Sequence, residues 1–325
     1  MRPKVLIAVS HLRERSRPYV ERLEAAGFDV SCNALGRPYT EDELVDALRG
    51  RFGVVAGGEH YTERVFREAG DLKIVARFGV GYEKVDVPAA TRHRIPVAMT
   101  FGANHEAVAD CAFSLMAALL HNLVRKHLSV KVGRWEFGLH HALWRATIGI
   151  VGLGRIGKAM SRRCRGFEMT VLAYDPKPDI GFARDNDVQL LPLGALLHAA
   201  DVVSLHAPCT PETENLINRS TLALMKPSAY LVNTARGGLV DEEALYEALK
   251  SGRLAGAGLD VFRREPPTGS PLLELENLIA TPHCADAEPT AEAAMMNRCI
   301  DSILAVAEGR SPGAEYLVNP EVFSQ

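Results

Sequence analysis

Short apolar runs alternate with longer amphipathic stretches along most of the chain. Residues 4–9, 28–32, 53–56, 73–76 and 97–99 are almost continuously apolar, rich in β-branched residues and bounded by turn formers, so they read as strands. Between them, residues 18–26, 41–49 and 62–69 carry apolar positions at helical spacing, and Gly27, Gly50 and Gly70 stand where helix stops belong. Continuous apolar strands separated by helices predict a parallel sheet covered on both faces. The alternation breaks at residues 104–132, "NHEAVADCAFSLMAALLHNLVRKHLSVKV", which read as helix and are too long for an ordinary crossover. An irregular stretch with Trp135 and Trp144 follows. Alternation resumes at Thr147, with strands near 148–151, 170–174, 202–205, 229–233, 256–260 and 278–280 and a last helix over about 290–308. The pattern predicts two α/β units, about 1–100 and 101–290; it leaves the final helix and tail open to either.

Bulk properties narrow the function. A chain of 325 residues suits two domains, and 47% hydrophobic with 24% charged residues is an ordinary globular balance. A net charge of -3 gives no electrostatic reason to expect nucleic acid or an anionic membrane as partner. No apolar run approaches the roughly 20 residues that span a bilayer. The start, "MRPKVLIAVSH", has too short an apolar core for a signal peptide and reads as a buried first strand. The six cysteines form no C-x-x-C pair and no cluster with histidine at metal spacing, which points to a reducing, cytoplasmic setting and no metal site. The adjacent His140 and His141 read as loop histidines.

Chemistry enters at "GIVGLGRIG". Gly152, Gly154 and Gly157 are spaced G-x-G-x-x-G between a strand and a helix, and Asp175 ends the next strand 23 positions after Gly152. Each part has a physical reason: a tight turn, a close approach of backbone to pyrophosphate, and close helix–strand packing. The helix N-terminus faces the phosphates, and the acid holds a ribose hydroxyl. Asp175 would also repel a 2′-phosphate, which favours NAD over NADP. Downstream, Arg236 ends an apolar strand before two glycines, Asp260 ends another with Glu265 just beyond, and His283 follows a third. In a parallel sheet these ends face the ligand crevice. An arginine fork for a carboxylate, a histidine for the proton and a glutamate to hold the imidazolium suit hydride transfer to a 2-oxo acid.

Taken together, "RFGVGYEKVD", "GIVGLGRIGKAM", "YDP", "HAPCTPETENLIN", "MKPSAYLVNTARGGLVDEEAL", "GLDVFRREP" and "TPH" resemble the D-isomer-specific 2-hydroxyacid dehydrogenase family, over nearly the whole chain. The resemblance implies a Rossmann NAD-binding domain, residues 101–290, inserted into a flavodoxin-like substrate domain made of 1–100 and 291–325. It implies a homodimer formed through an arm at about 104–145. It assigns Arg236 to the substrate carboxylate, His283 to acid–base work and Glu265 to His283. Asp260 would meet the nicotinamide carboxamide. Arg155 and Ile156 would lie on the pyrophosphate, and His206, Ala207, Pro208, Thr234 and Ala235 would line the cofactor. Val80, Gly81 and Asn104 would serve the substrate, a small 2-oxo or 2-hydroxy acid. Two departures stand out. Gly57 occupies the loop position where phosphoglycerate dehydrogenases carry an arginine, which weakens a phosphorylated substrate. "HCADAE" puts Cys284 and Asp286 where small residues are usual, with Asp286 expected to face solvent. Two alternatives remain open: an NAD-sensing corepressor-like binding protein, or a dehydrogenase of another small anion such as formate or phosphite.

Overall fold

The apolar run near the start becomes a strand, β1 (Lys4–Ile7), in the computed structural model, which describes residues 2–324. β2 (Asp29–Cys32), β3 (Gly53–Ala56), β4 (Ile74–Arg77) and β5 (Val97–Met99) join it in one all-parallel sheet, in the order β2-β1-β3-β4-β5. That is the flavodoxin-like doubly wound order. The crossover helix Glu41–Leu48 begins where Thr40 and Glu43 form a capping box, each side chain accepting from the other's backbone N–H. Leu44, Leu48, Val65 and Phe66 cover one face of the sheet, and Leu23, Met296, Ile300 and Ile303 the other. The last three lie on the final helix, Pro289–Ala307, which packs on β3 and β4. This unit is built from the chain up to Asn104 and again from Glu288 onward.

The other unit runs from His105 to Ala287. Its sheet contains β6 (Thr147–Val151), β7 (Thr170–Tyr174), β8 (Val188–Leu190), β9 (Val202–Leu205), β10 (Tyr230–Asn233), β11 (Gly256–Leu259) and β12 (Leu278–Ala280). All pairs are parallel, in the order β12-β11-β10-β9-β6-β7-β8. This is the Rossmann order with one strand added beyond β11, and its winding reverses between β6 and β9. β8 escapes a sequence reading because it is a three-residue edge strand paired on one side only.

The long helical stretch is not one helix. It divides into His105–Leu120 and Leu123–Lys131, bent by 62°, with Asn122 in the left-handed region (φ 54°) at the break. His105–Leu120 lies on the sheet: a Cβ at Gly258 of β11 would stand 3.2 Å from both Leu115 and Leu119, so the bare glycine admits the helix. Leu123–Lys131 instead exposes Leu123, Leu128 and Val130, and the irregular segment after it exposes Trp135 (90%), Phe137 (96%) and Leu139 (91%). No single described helix is long and apolar enough to cross a membrane.

Candidate active site

The glycine turn lies at the winding reversal of the second sheet. Gly152 has φ +95°, and a Cβ there would stand 2.7 Å from the His206 carbonyl carbon and 2.8 Å from the Ala207 nitrogen. A Cβ at Gly157 would stand 2.1 Å from the Gly152 oxygen, so helix and turn touch backbone to backbone. Gly154 differs: nothing lies within 4 Å of its would-be Cβ. It is the N-cap of helix Arg155–Arg165 and supplies no side-chain cap, which leaves the first amides of the helix to a ligand. Arg155 is exposed and Ile156 half-buried beside them. Asp175 links both sides of the turn: Oδ2 accepts from Leu153 N (2.8 Å) and Oδ1 from Lys177 N (2.8 Å). Each oxygen keeps a further lone pair for a ribose hydroxyl.

β9 and β10 pair in register, so His206 and Thr234 follow them side by side. Each has a buried side-chain atom without a partner, His206 Nδ1 and Thr234 Oγ1. Burial drives the His206 pKa down to about 4, so the ring is neutral near physiological pH, with Nε2 2.9 Å from Ser204 Oγ. Two orphaned polar atoms beside an open glycine turn fit a polar ligand such as a dinucleotide. Ala207 and Pro208 continue this edge, and Ala235 is buried next to Thr234.

The three candidate catalytic side chains stand on the same carboxyl edge. Arg236 follows β10, half-buried, with Nη1 donating to the Ala235 oxygen (2.6 Å). The chain then turns at Gly237, where a Cβ would lie 2.0 Å from the Phe262 carbonyl carbon, so the segments carrying Arg236 and Glu265 pass in contact. Glu265 Oε1 accepts from Phe262 N (3.1 Å), and Oε2 lies 2.8 Å from His283 Nδ1. That contact occupies Nδ1 and leaves Nε2 as the remaining ring nitrogen. The hydrogen bond that His283 donates to Glu265 raises the His283 pKa; burial opposes this, the charges of Glu265 and Asp260 add to it, and Arg236 lowers it. Asp260 is fully buried: Oδ1 accepts from Thr281 Oγ1 (2.6 Å) and Cys284 N (3.0 Å), and Oδ2 from Ala285 N (2.9 Å).

Asp286 does not simply face solvent. It is half-buried and within electrostatic reach of the Cys111 and Cys284 thiols, whose pKa values it helps to raise, Cys111 to about 12. Burial is the main cause for both, so neither thiol is a ready nucleophile.

Val80, Gly81 and Asn104 belong to the first unit. Val80 and Gly81 follow β4 and Gly79, which has φ +124° and is pinned at both ends by Thr100: Gly79 N donates to Thr100 Oγ1 (3.0 Å), and Thr100 Oγ1 to Gly79 O (2.9 Å). Asn104 is buried just before helix His105–Leu120. Gly57 follows β3. A Cβ there would stand 3.1 Å from Glu59 Oε2 and 3.2 Å from Val9 Cα. Glu59, which the sequence reading passed over, is buried and holds Gly57 N (2.9 Å). Asn233, at the end of β10, was also passed over; its one signal is a lone amide closing an apolar strand in "YLVN".

A family model described as D-isomer specific 2-hydroxyacid dehydrogenase, NAD binding domain, matches residues 113–285. A glyoxylate reductase of Korarchaeum cryptofilum is 43% identical over 265 residues, 79% of each chain. A D-3-phosphoglycerate dehydrogenase of Methanocaldococcus jannaschii is 39% identical over 86% of this chain and 54% of its own. Among solved structures, D-lactate dehydrogenase from Aquifex aeolicus complexed with NAD and lactic acid superposes with TM-score 0.84 at 27% identity, covering 97% of this chain and 98% of its own.

Proposed function

We infer residue roles and substrate from one premise: this chain belongs to the D-isomer specific 2-hydroxyacid dehydrogenase family. It is an NAD-dependent oxidoreductase that moves a hydride between nicotinamide and a 2-hydroxy or 2-oxo acid. NAD would be held by the glycine turn and helix Arg155–Arg165, by Asp175 at the ribose, and by the edge formed by His206, Ala207, Pro208, Thr234 and Ala235. When bound as NADH it supplies the hydride.

The chain supplies the rest. Arg236 grips the carboxylate of a 2-oxo acid with its planar fork and polarises the carbonyl. His283 donates the Nε2 proton to the oxygen at C2 as the carbonyl is reduced, and takes it back when a hydroxy acid is oxidised. Glu265 holds Nδ1–H, fixing the tautomer and favouring the charged ring. The observation that carries this reading is the His283–Glu265 pair on the same sheet edge as Arg236 and the open glycine turn.

Substrates are short, unphosphorylated 2-oxo acids. Gly57 supports this, because the backbone of Val9 and the carboxylate of Glu59 fill the space a side chain would need. Two copies pair through the arm, supported by the exposed Trp135, Phe137 and Leu139. No disulfide joins the six cysteines among the described residues, which suits the cytoplasm.

Arg236→Lys tests the roles. It keeps the charge and loses the two-pronged geometry, so kcat/KM for 2-oxo acids falls on the order of a hundredfold or more while NADH affinity holds. A Lys variant with wild-type turnover means that another group holds the carboxylate.

A further inference from the structure

We propose that Asn233 and Asp260 are positioning residues, each bracing the loop that carries one catalytic side chain: Asn233 that of Arg236, and Asp260 that of His283. The proposal rests on the roles given above to Arg236 and His283.

Both side chains are polar and fully buried (0% exposed), Asn233 at the end of β10 and Asp260 just past the end of the adjacent β11. The Asp260 N–H donates to the Asn233 oxygen at 2.9 Å, so the two braces share one backbone link. Burying such groups is unfavourable unless their hydrogen bonds are made. Here the bonds go to the loops. Asn233 Oδ1 accepts from Ala235 N (3.0 Å), and Nδ2 donates to the Arg236 carbonyl (2.8 Å). The amide therefore has one orientation: reversed, it would set N–H against N–H and oxygen against oxygen. Through these bonds Asn233 determines where the Arg236 backbone lies.

Asp260 does the same for the next loop with four bonds. Its backbone oxygen accepts from His283 N (2.8 Å), and its carboxylate accepts from Thr281 Oγ1, Cys284 N and Ala285 N. These contacts fall on His283 and on both sides of it. His283 itself has φ +50°, in the left-handed region that few residues with a side chain adopt, and these bonds hold the loop on both sides of it.

The two braces have separable signatures. Asn233→Asp is isosteric, keeps the acceptor for Ala235 N and sets a second oxygen against the Arg236 carbonyl. It is expected to raise KM for a 2-oxo acid on the order of a hundredfold, the usual scale for misplacement by about 1 Å, with kcat less affected. Asp260→Asn sets an NH2 group against a loop N–H. It is expected to lower kcat on a similar scale with KM nearly unchanged, and to move the fall of reduction rate with pH to lower pH. The groups facing His283 are Glu265, Asp260 and Arg236, and this variant removes one of the two negative charges. NADH affinity, read by fluorescence titration, is expected to hold in both.

Wild-type turnover is measured first, so failure of the functional reading is seen apart from failure of this one. Thermal melts accompany the kinetics. Should either variant melt below the assay temperature, Asn233→Ser and Asp260→Ser, small and still able to hydrogen-bond, carry the same predictions. Against an active wild type, variants that lose kcat, KM and NADH affinity together, in step with melting temperature, overturn the proposal in favour of a purely structural role. Variants with wild-type kinetics overturn it as well.

Discussion

Half of the His283 side chain is open to solvent (51%), while its Nδ1 is held by Glu265 at 2.8 Å. An acid that must pass a proton to substrate needs that combination: one nitrogen fixed, the other reachable. The pKa is raised, chiefly by the Glu265 hydrogen bond, so the imidazolium persists above the roughly 6.5 of the free ring. In the proposed role, reduction uses the charged ring and is expected to fall as pH rises through that pKa, and oxidation, which uses the neutral ring, to climb. Glu265→Gln keeps size and a hydrogen bond but removes the charge. Both pH–rate profiles should move to lower pH, and reduction near neutral pH should suffer first. Identical profiles for wild type and Glu265→Gln would separate Glu265 from the proton altogether. Arg236, Glu265 and His283 were legible in the sequence because each follows an apolar strand, where a parallel sheet presents its ligand edge. Asn233 and Glu59 were not, because an isolated buried polar residue has no spacing signature; only the fold shows which backbone atoms it meets.

Among the elements, the turn and helix of residues 152–165 are tightly constrained. The Gly157 position leaves 2.1 Å between a would-be Cβ and the Gly152 oxygen, and what it meets is backbone. Gly157→Ala forces helix Arg155–Arg165 away from the turn, and overpacking of this kind costs about 1–3 kcal/mol. We expect weaker NADH binding with the first unit's fold intact, measured by fluorescence titration beside a melting curve. Unchanged NADH affinity would mean that the turn does not carry the pyrophosphate. Strand periodicity located eleven of the twelve strands, because buried parallel strands are continuous apolar runs; it missed β8, whose three residues alternate at an edge. The break at Asn122 was hidden for a different reason. Helical spacing continues across it in "LLHNLVRK", and one left-handed residue is enough to turn the axis.

For the whole molecule, the chain leaves the first sheet's unit at Asn104 and returns at Glu288, and the helix that covers β3 and β4 comes from the returning segment. The alternation of the sequence alone did not show where that helix docks; burial of Met296, Ile300 and Ile303 against the first sheet does. The arm bears the most exposed large apolar side chains among the described residues, Trp135, Phe137 and Leu139. Trp135→Glu with Phe137→Glu places charge in the expected pairing surface and should convert a sedimenting dimer into monomer; a wild type that sediments as monomer at micromolar concentration would rule that pairing out. The central claim is hydride transfer from NADH to a short 2-oxo acid. Its most direct test is the initial rate of NADH oxidation by the purified chain with glyoxylate, hydroxypyruvate, pyruvate and phosphohydroxypyruvate, repeated with NADPH. Turnover of at least one unphosphorylated acid is expected, with slower turnover of the phosphorylated one and a preference for NADH over NADPH set by Asp175. No NADH oxidation above background with any of the four would contradict it.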